Sequence, residues 1–244
     1  MRIPPLCEYR SAGMPSFAID GRFNGPPESA NGGYACGLIA GRAPGRHAVT
    51  LHAPVPLDTG IELRPSGKRH HVWHDNVLIA TAVETTETVD VVPPVSPEEA
   101  EAGSPDYAGR HGHPFPTCFA CGLERSDGLC LTPAPVMGRP ETVACVWRPD
   151  AALAGPDGLI PAEIVWSALD CPGGWTTDPR EDPRLLGRMT ATIERLPEPG
   201  HTYVVVARQD NRTGRTVHNT STIYDPDGTA IASASAIWVA LAAS

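Results

Sequence analysis

The stretch NGGYACGLIA, residues 31–40, places two glycines where an apolar helix begins. Glycine costs about 1 kcal/mol relative to alanine inside a helix, so two adjacent glycines need a physical reason. Asn31 is a residue type that caps helix N-termini. Gly32 and Gly33 either form a turn before the helix or clear its N-terminus so that a ligand can reach the free N–H groups. Both interpretations predict a helix that starts here.

The second half of the chain repeats the order of elements around this helix. PAEIVWSALD, residues 161–170, predicts a second helix. Each helix is followed by a strand, a Pro-containing corner, a second strand and a later strand of alternating small and apolar residues. Those stretches are residues 49–65 and 75–87 in the first copy and 191–207 and 227–239 in the second. SFAIDGRF and ETVACVWRP predict a strand before each helix. The spacing from Gly60 to Asp75 is shorter than that from Gly200 to Asp227, so the first copy has the shorter hairpin.

This repeat predicts an α+β fold with two antiparallel sheets, each wrapped on one helix. We place an N-terminal domain at residues 1–95 and a C-terminal domain at residues 116–244. Residues 96–115 between them are rich in Pro, Gly and charge, which is typical of a linker.

Composition narrows the classes of function. The net charge is −9 and the basic residues are dispersed, which argues against a nucleic-acid partner. No apolar run approaches the roughly 20 residues of a membrane span, and MRIPPLCEYR lacks the apolar core of a signal peptide. We therefore expect a cytoplasmic protein without a membrane partner. The seven cysteines, an odd number, favour reduced thiols over a disulfide framework.

Three stretches carry a family resemblance: the NGGY helix start, CFACGLERSDGL at residues 118–129, and the strand pattern of residues 199–239. They resemble hotdog-fold acyl-CoA thioesterases of the phenylacetate-pathway type. The resemblance implies a double hotdog, in which one chain forms a pseudo-dimer by supplying both halves of the usual hotdog dimer. Further pairing of this tandem unit into a homodimer is left open.

The family resemblance also implies where catalysis takes place. In such enzymes a backbone N–H after a glycine turn polarises the thioester carbonyl, and a carboxylate from the opposite helix acts as base or nucleophile. The first helix keeps Gly32 and Gly33 but has Ala40 at the position of the acid. The second helix keeps the acid as Asp170, and Pro161, Ala162 and Glu163 replace its glycine turn.

We therefore predict one composite site, with Gly32, Gly33 and Asp170 as catalytic residues, and an inactive counterpart at Ala40. Asn24, Asn31, Glu163 and Trp166 are candidate substrate-binding residues, and Glu163 is also the alternative acid because it lies two helical turns before Asp170. The structural alternatives are a cap for Asn31, core packing for Trp166 and a solvated turn for Asp170. Pro172 is expected to end the helix, which would put Asp170 in the last turn, where the helix dipole raises the pKa of a carboxyl group.

The predicted reaction is hydrolysis of an acyl-CoA thioester, with no cofactor and with coenzyme A only as part of the substrate. The alternative is a non-catalytic protein that binds acyl-CoA or another lipid-like ligand at a degenerate site. Cys118 and Cys121 form a single Cys-x-x-Cys pair, whereas a zinc site needs four ligands, which His111 and His113 could complete. We interpret the pair as buried thiols at the start of a strand and assign no metal.

Overall fold

The computed structural model describes residues 16–241, and within them it contains eleven strands and three α-helices. The prediction about the N-terminal stretch MRIPPLCEYR, including Cys7, lies outside these residues. The first half contains β1 Ser16–Phe17, α1 Gly32–Ala40, β2 His47–Leu51, β3 Ile61–Ser66, β4 Arg69–His74 and β5 Val77–Glu84. The second half contains α2 Pro97–Gly103, β6 Ala134–Pro135, β7 Thr142–Trp147, α3 Ala162–Gly174, β8 Arg184–Ile193, β9 Tyr203–Thr213, β10 Thr216–Tyr224 and β11 Ala230–Ala240.

All eleven strands belong to one antiparallel sheet, where the sequence predicts two. The strand order is β1-β3-β4-β5-β2-β8-β11-β10-β9-β7-β6. The two halves join where β2 pairs with β8, with Val49 opposite Met189. A half-sheet that ended at β2 or β8 would expose a row of unpaired N–H and C=O groups, and the pairing satisfies them.

The topology shows the internal repeat directly. Read outward from the β2–β8 pair, the first half runs β2-β5-β4-β3-β1 and the second half runs β8-β11-β10-β9-β7. In each half these are the four strands after the main helix, followed by the strand before it. The predicted difference in hairpin length is also present, because β3 and β4 have 6 residues each whereas β9 and β10 have 11 and 9.

Helices α1 and α3 pack against each other and share one hydrophobic core with the sheet. That core joins Ile39 of α1 and Leu169 of α3 to Val49 and Met189 of the central strands, all of which are buried. The contact between the helices is close, because Gly37 of α1 lies directly against the start of α3. The interface between the helices is therefore also the interface between the two repeats.

Helix α3 does not end before Pro172, so that prediction is wrong. The helix passes through Pro172 and ends at Gly174, which leaves Asp170 in its interior. A proline ring removes one intrahelical hydrogen bond, but contacts elsewhere hold the last turn. Asn219 of β10 donates from Nδ2 to the Gly173 carbonyl at 3.0 Å, and the Trp238 ring packs against Gly174.

The strand predicted from SFAIDGRF is also largely wrong. Only Ser16–Phe17 form a paired strand, β1, and Gly21–Phe23 form a 3-10 helix. The Asp20 carboxylate accepts from the Arg22 N–H at 2.9 Å, and the Asp58 carboxylate accepts from the Gly21 N–H at 2.8 Å. Such bonds from side chains to the backbone compete with the hydrogen bonds of a strand.

The segment predicted as a linker is packed on the second half of the sheet. It contains α2, whose N-terminus is capped by the Ser96 hydroxyl, which accepts from the Glu99 N–H. Ala100 of this segment, together with Val92 and Val95 just before it, belongs to a small buried cluster with residues of β7 and β9. Among residues 16–241, none of the helices has the length and apolar character needed to cross a bilayer.

Candidate functional site

The site is built on the N-terminus of α1. The Asn31 side chain caps the helix, since its Oδ1 accepts from the Tyr34 N–H at 2.9 Å. The Ser167 hydroxyl of α3 donates to the same oxygen at 2.8 Å. These two bonds fix the orientation of the Asn31 amide, so its Nδ2 points toward the sulfur atoms of Cys171 and Cys118, at 3.5 and 3.8 Å.

Asp170 of α3 lies directly against this helix start. Its Oδ2 accepts from the Gly33 N–H at 2.8 Å, although the two residues are 137 positions apart. A Cβ atom on Gly33 would come within 2.4 Å of the Asp170 Cβ and 2.6 Å of the Trp166 carbonyl oxygen. The second glycine of the pair therefore allows the close approach of the carboxyl group to the helix N-terminus.

The Asp170 carboxyl group is buried and only half satisfied. The residue is 1% exposed, and its Oδ1 has no hydrogen-bond partner among the described residues. Burial raises the pKa of Asp170 to about 8, while the hydrogen bond from Gly33 opposes the rise and the nearby Cys118 adds to it. The cause is burial in the helix interior, not a position in the last turn as predicted, and the interpretation as a solvated turn is wrong.

A cavity of about 380 Å³ lies beside these groups. Asn31, Gly32 and Asp170 line it, and the N–H of Gly32 takes part in no hydrogen bond within residues 16–241. Unsatisfied N–H groups at a helix N-terminus favour negative charge on a ligand. Apolar residues form other parts of the wall, namely Leu51, Val55, Phe115, Leu186 and Trp238. Arg215, which is exposed, also lines the cavity and so lies where it opens to solvent.

Three cysteines line the same cavity. Cys118, Cys121 and Cys171 are buried, and their sulfur atoms all lie within 4.8 Å of one another. Cys118 and Cys121 lie in an irregular loop, so the predicted strand start is wrong, whereas the prediction of buried thiols is confirmed. His113 also lines the cavity, and its Nε2 lies 3.3 Å from the Cys121 sulfur.

The other predicted binding residues do not line the cavity. Asn24 is buried, and its Oδ1 accepts from Arg125 at 2.8 Å while its Nδ2 donates to Thr117 at 3.3 Å. Glu163 and Trp166 lie against Gly37 at the contact between the two helices. The geometry thus places Asp170 at the cavity and Glu163 outside it.

Sequence reasoning missed Ser167, His113 and Cys171 as neighbours of the site. Cys171 directly follows Asp170, and Ser167 lies one helical turn before it, so helix periodicity gave a signal for both. His113 had no such signal, because its place depends on how a loop folds over the cavity.

We compared the chain with known protein families, sequences and solved structures. No protein-family model matches the chain, and no curated protein sequence matches it significantly. Solved structures do match over nearly the whole chain. A hot dog fold protein of unknown function from Alicyclobacillus acidocaldarius is 14% identical with a TM-score of 0.59, covering 94% of this chain and 93% of its own.

Two further structures have the same fold. A candidate thioesterase from Novosphingobium aromaticivorans is 13% identical with a TM-score of 0.61, covering 93% of this chain and 95% of its own. The tesB protein of Mycobacterium avium subsp. paratuberculosis is 13% identical with a TM-score of 0.59 and 95% coverage of both chains. The chain has a hot dog fold over its full described length, which confirms the resemblance to that fold.

Proposed function

We propose that this protein is a thioesterase-like hydrolase that cleaves an acyl-CoA thioester at a single composite site between its two repeats. One observation carries the proposal. The buried Asp170 carboxyl group is held by the Gly33 N–H through one oxygen, and its other oxygen has no partner among the described residues. Gly32, whose N–H makes no hydrogen bond within residues 16–241, lines the same cavity as Asp170. A hydrolase needs this combination of an oxyanion donor and a carboxyl group next to one space.

Each group has a definite role in this reaction. The Gly32 N–H donates to the thioester oxygen as negative charge develops there, since Gly33 is already engaged by Asp170. Asp170 either takes a proton from a water molecule or attacks the acyl carbon itself. The oxygen of water ends on the acyl carbon, the C–S bond breaks, and the thiolate leaves and takes up a proton.

The cavity has the chemistry of an acyl-CoA site. Its apolar wall suits an acyl chain, and the exposed Arg215 offers positive charge to the phosphates of coenzyme A. We interpret the two repeats as the fused subunits of a hot dog dimer, joined by the β2–β8 pair and the α1–α3 contact. In that pseudo-dimer the counterpart of Asp170 is Ala40, so the second site lacks an acid.

Hydrolysis of a panel of short, branched, aromatic and long-chain acyl-CoA esters, followed by thiol release, tests the proposal. Asp170→Asn keeps the size of the side chain and an oxygen for the Gly33 N–H, so the fold should persist while kcat falls about 100-fold or more. Glu163→Gln is the matched control, an acid on the same helix face outside the cavity, and should leave kcat within about twofold.

Two results would contradict the proposed hydrolase activity. One is turnover that Asp170→Asn leaves unchanged. The other is that a non-hydrolysable acyl-CoA analogue raises the Tm of the wild-type protein while no ester in the panel is hydrolysed. That result would show that the protein binds acyl-CoA without catalysing its hydrolysis.

A further inference from the structure

The proposed hydrolysis gives no role to a cluster of three buried thiols beside the cavity. Cys118 and Cys121 come from one loop, and Cys171 comes from the C-terminal part of α3. The sulfur atoms of Cys118 and Cys171 are 3.8 Å apart, and all three lie within 4.8 Å of one another. Buried thiols also pack as small apolar groups, but packing alone does not require three of them to converge on one point.

The spacing fits a tetrahedral metal centre. Zinc binds thiolates at about 2.3 Å, and a tetrahedron with such bonds places its sulfur atoms about 3.8 Å apart. The Cys118–Cys171 distance has this value. A disulfide, by contrast, needs sulfur atoms about 2.05 Å apart. The spacing of Cys118 and Cys171 is therefore compatible with two ligands of one zinc ion and too long for a disulfide.

Two polar side chains that face the sulfur atoms, Asn31 and His113, are hydrogen-bond donors. The Asn31 Nδ2 faces Cys171 at 3.5 Å and Cys118 at 3.8 Å, and its orientation is fixed by the two bonds to its Oδ1. His113 accepts the Phe115 N–H at Nδ1, at 2.8 Å, so its neutral ring carries the hydrogen on Nε2 and donates toward Cys121. N–H donors around thiolates are a common outer shell of metal–sulfur sites.

We propose that Cys118, Cys121 and Cys171 bind one Zn²⁺ ion through their sulfur atoms, with the fourth position supplied from the cavity by water or a bound ligand. His113 is a hydrogen-bond donor to this centre and not a ligand, because its Nε2 carries the hydrogen. The three thiols release their protons to solvent when the ion binds. The ion ties the loop that carries Cys118 and Cys121 to α3, one residue from Asp170. This inference rests on the cluster alone and holds whether or not the protein hydrolyses thioesters.

Metal analysis and cobalt spectroscopy of the full-length protein test this site. The protein, reduced and stripped with a chelator, should take up one Zn²⁺ per chain. Titration with Co²⁺ should give sulfur-to-cobalt charge-transfer bands and intense tetrahedral bands that saturate at one ion per chain. In the native zinc protein, three thiols should be protected from a thiol reagent and become reactive after chelation.

Single cysteine variants locate the ligands. Cys118→Ser, Cys121→Ser and Cys171→Ser should each abolish the saturable cobalt spectrum. Cys145→Ser removes a thiol that is equally buried but lies in β7 away from the cluster, and should retain it. Circular dichroism of each variant separates loss of binding from loss of fold, and the measurements on wild-type protein do not depend on the variants.

His113→Ala tests the fourth position. It should keep one ion per chain and lose about 10- to 100-fold in affinity, the usual cost of removing an outer-shell donor. Complete loss of the cobalt spectrum in His113→Ala would overturn the assignment of His113 as a donor. The metal site itself is overturned if reduced wild-type protein takes up neither Zn²⁺ nor Co²⁺.

Discussion

At Gly33 a single hydrogen atom in place of a side chain determines how the two helices meet. A Cβ there would lie 2.4 Å from the Asp170 Cβ, and one at Gly37 would lie 2.8 Å from the Glu163 Cα. Neither neighbour is the flexible end of a side chain, so the helix itself would have to shift. The separation of α1 and α3, and with it the bond from Gly33 to Asp170, depends on these glycines.

Gly33→Ala should therefore destabilise the protein by about 1–3 kcal/mol, the usual cost of inserting a methyl group into a tightly packed contact. Gly60→Ala is the control, because nothing lies within 4 Å of a Cβ at that position and its φ is not in the left-handed region. We expect the control to be neutral or to gain about 0.4–1 kcal/mol. Urea unfolding of each variant measures the change in its free energy of unfolding. Equal stability of the two variants would contradict the close contact.

At the scale of single residues, sequence indicated the site only where the signal was local. Asn31 next to two glycines predicts a capped helix start, and Asp170 stands out as an acid in an apolar helix. The sulfur cluster depends on contact between Cys118 and Cys171, which are 53 residues apart in the sequence. No local sequence pattern predicts such a contact. Burial of Asp170 also could not be predicted while Pro172 was expected to end the helix.

At the scale of elements, the C-terminal turn of α3 depends on contacts with the sheet. Asn219 donates from Nδ2 to the Gly173 carbonyl at 3.0 Å and to the Thr176 hydroxyl at 2.6 Å, and Asn219 is buried. A carbonyl at a helix end has no partner inside the helix, and here the Gly173 carbonyl accepts from Asn219 of the sheet as well as from the Thr176 hydroxyl and N–H. This bond helps to offset the loss caused by Pro172.

Asn219→Ala should lower the free energy of unfolding by about 1–2 kcal/mol, because it removes the two hydrogen bonds that Asn219 donates to the Gly173 carbonyl and the Thr176 hydroxyl. For a protein of this size that corresponds to a fall in Tm of roughly 2–4 °C per kcal/mol. Asn211→Ala on the exposed part of β9 is the control, since Asn211 bonds only to the nearby Thr213 hydroxyl. A Tm for Asn219→Ala that matches this control would show that the bond does not support the helix end.

The elements that sequence predicted well are those with regular patterning. Strands β2, β3, β5, β9 and β11 overlap the stretches of alternating or apolar residues that predicted strands, whereas most of β8 precedes its predicted stretch. In the stretch SFAIDGRF, by contrast, Gly21–Phe23 are held in a 3-10 helix by the carboxylates of Asp20 and Asp58. Asp58 comes from a distant loop, so a local pattern could not reveal it.

At the scale of the whole molecule, the two repeats share both their sheet and their core. The β2–β8 pair makes one sheet of eleven strands among the described residues, and the largest hydrophobic cluster includes residues of both halves. Each half-sheet alone would expose an unpaired edge and the apolar face of its helix. Sequence predicted the repeat, but it could not show that the edges meet, because pairing between β2 and β8 leaves no mark in either strand.

We therefore expect the chain to unfold in one cooperative transition rather than half by half. Tryptophan fluorescence reports mainly on the second half, which holds four of the five tryptophans, and hydrogen exchange of the β5 segment reports on the first. The two probes should give the same midpoint in denaturant.

Met189→Ala provides a stronger test of the shared core. Met189 is fully buried in β8 opposite Val49 of β2, and its truncation should lower the free energy of unfolding by about 2–5 kcal/mol. A shared core requires that this change in the second half lower the midpoint of both probes equally. If the exchange of β5 keeps its wild-type midpoint while the fluorescence transition moves, the two repeats are independent folding units.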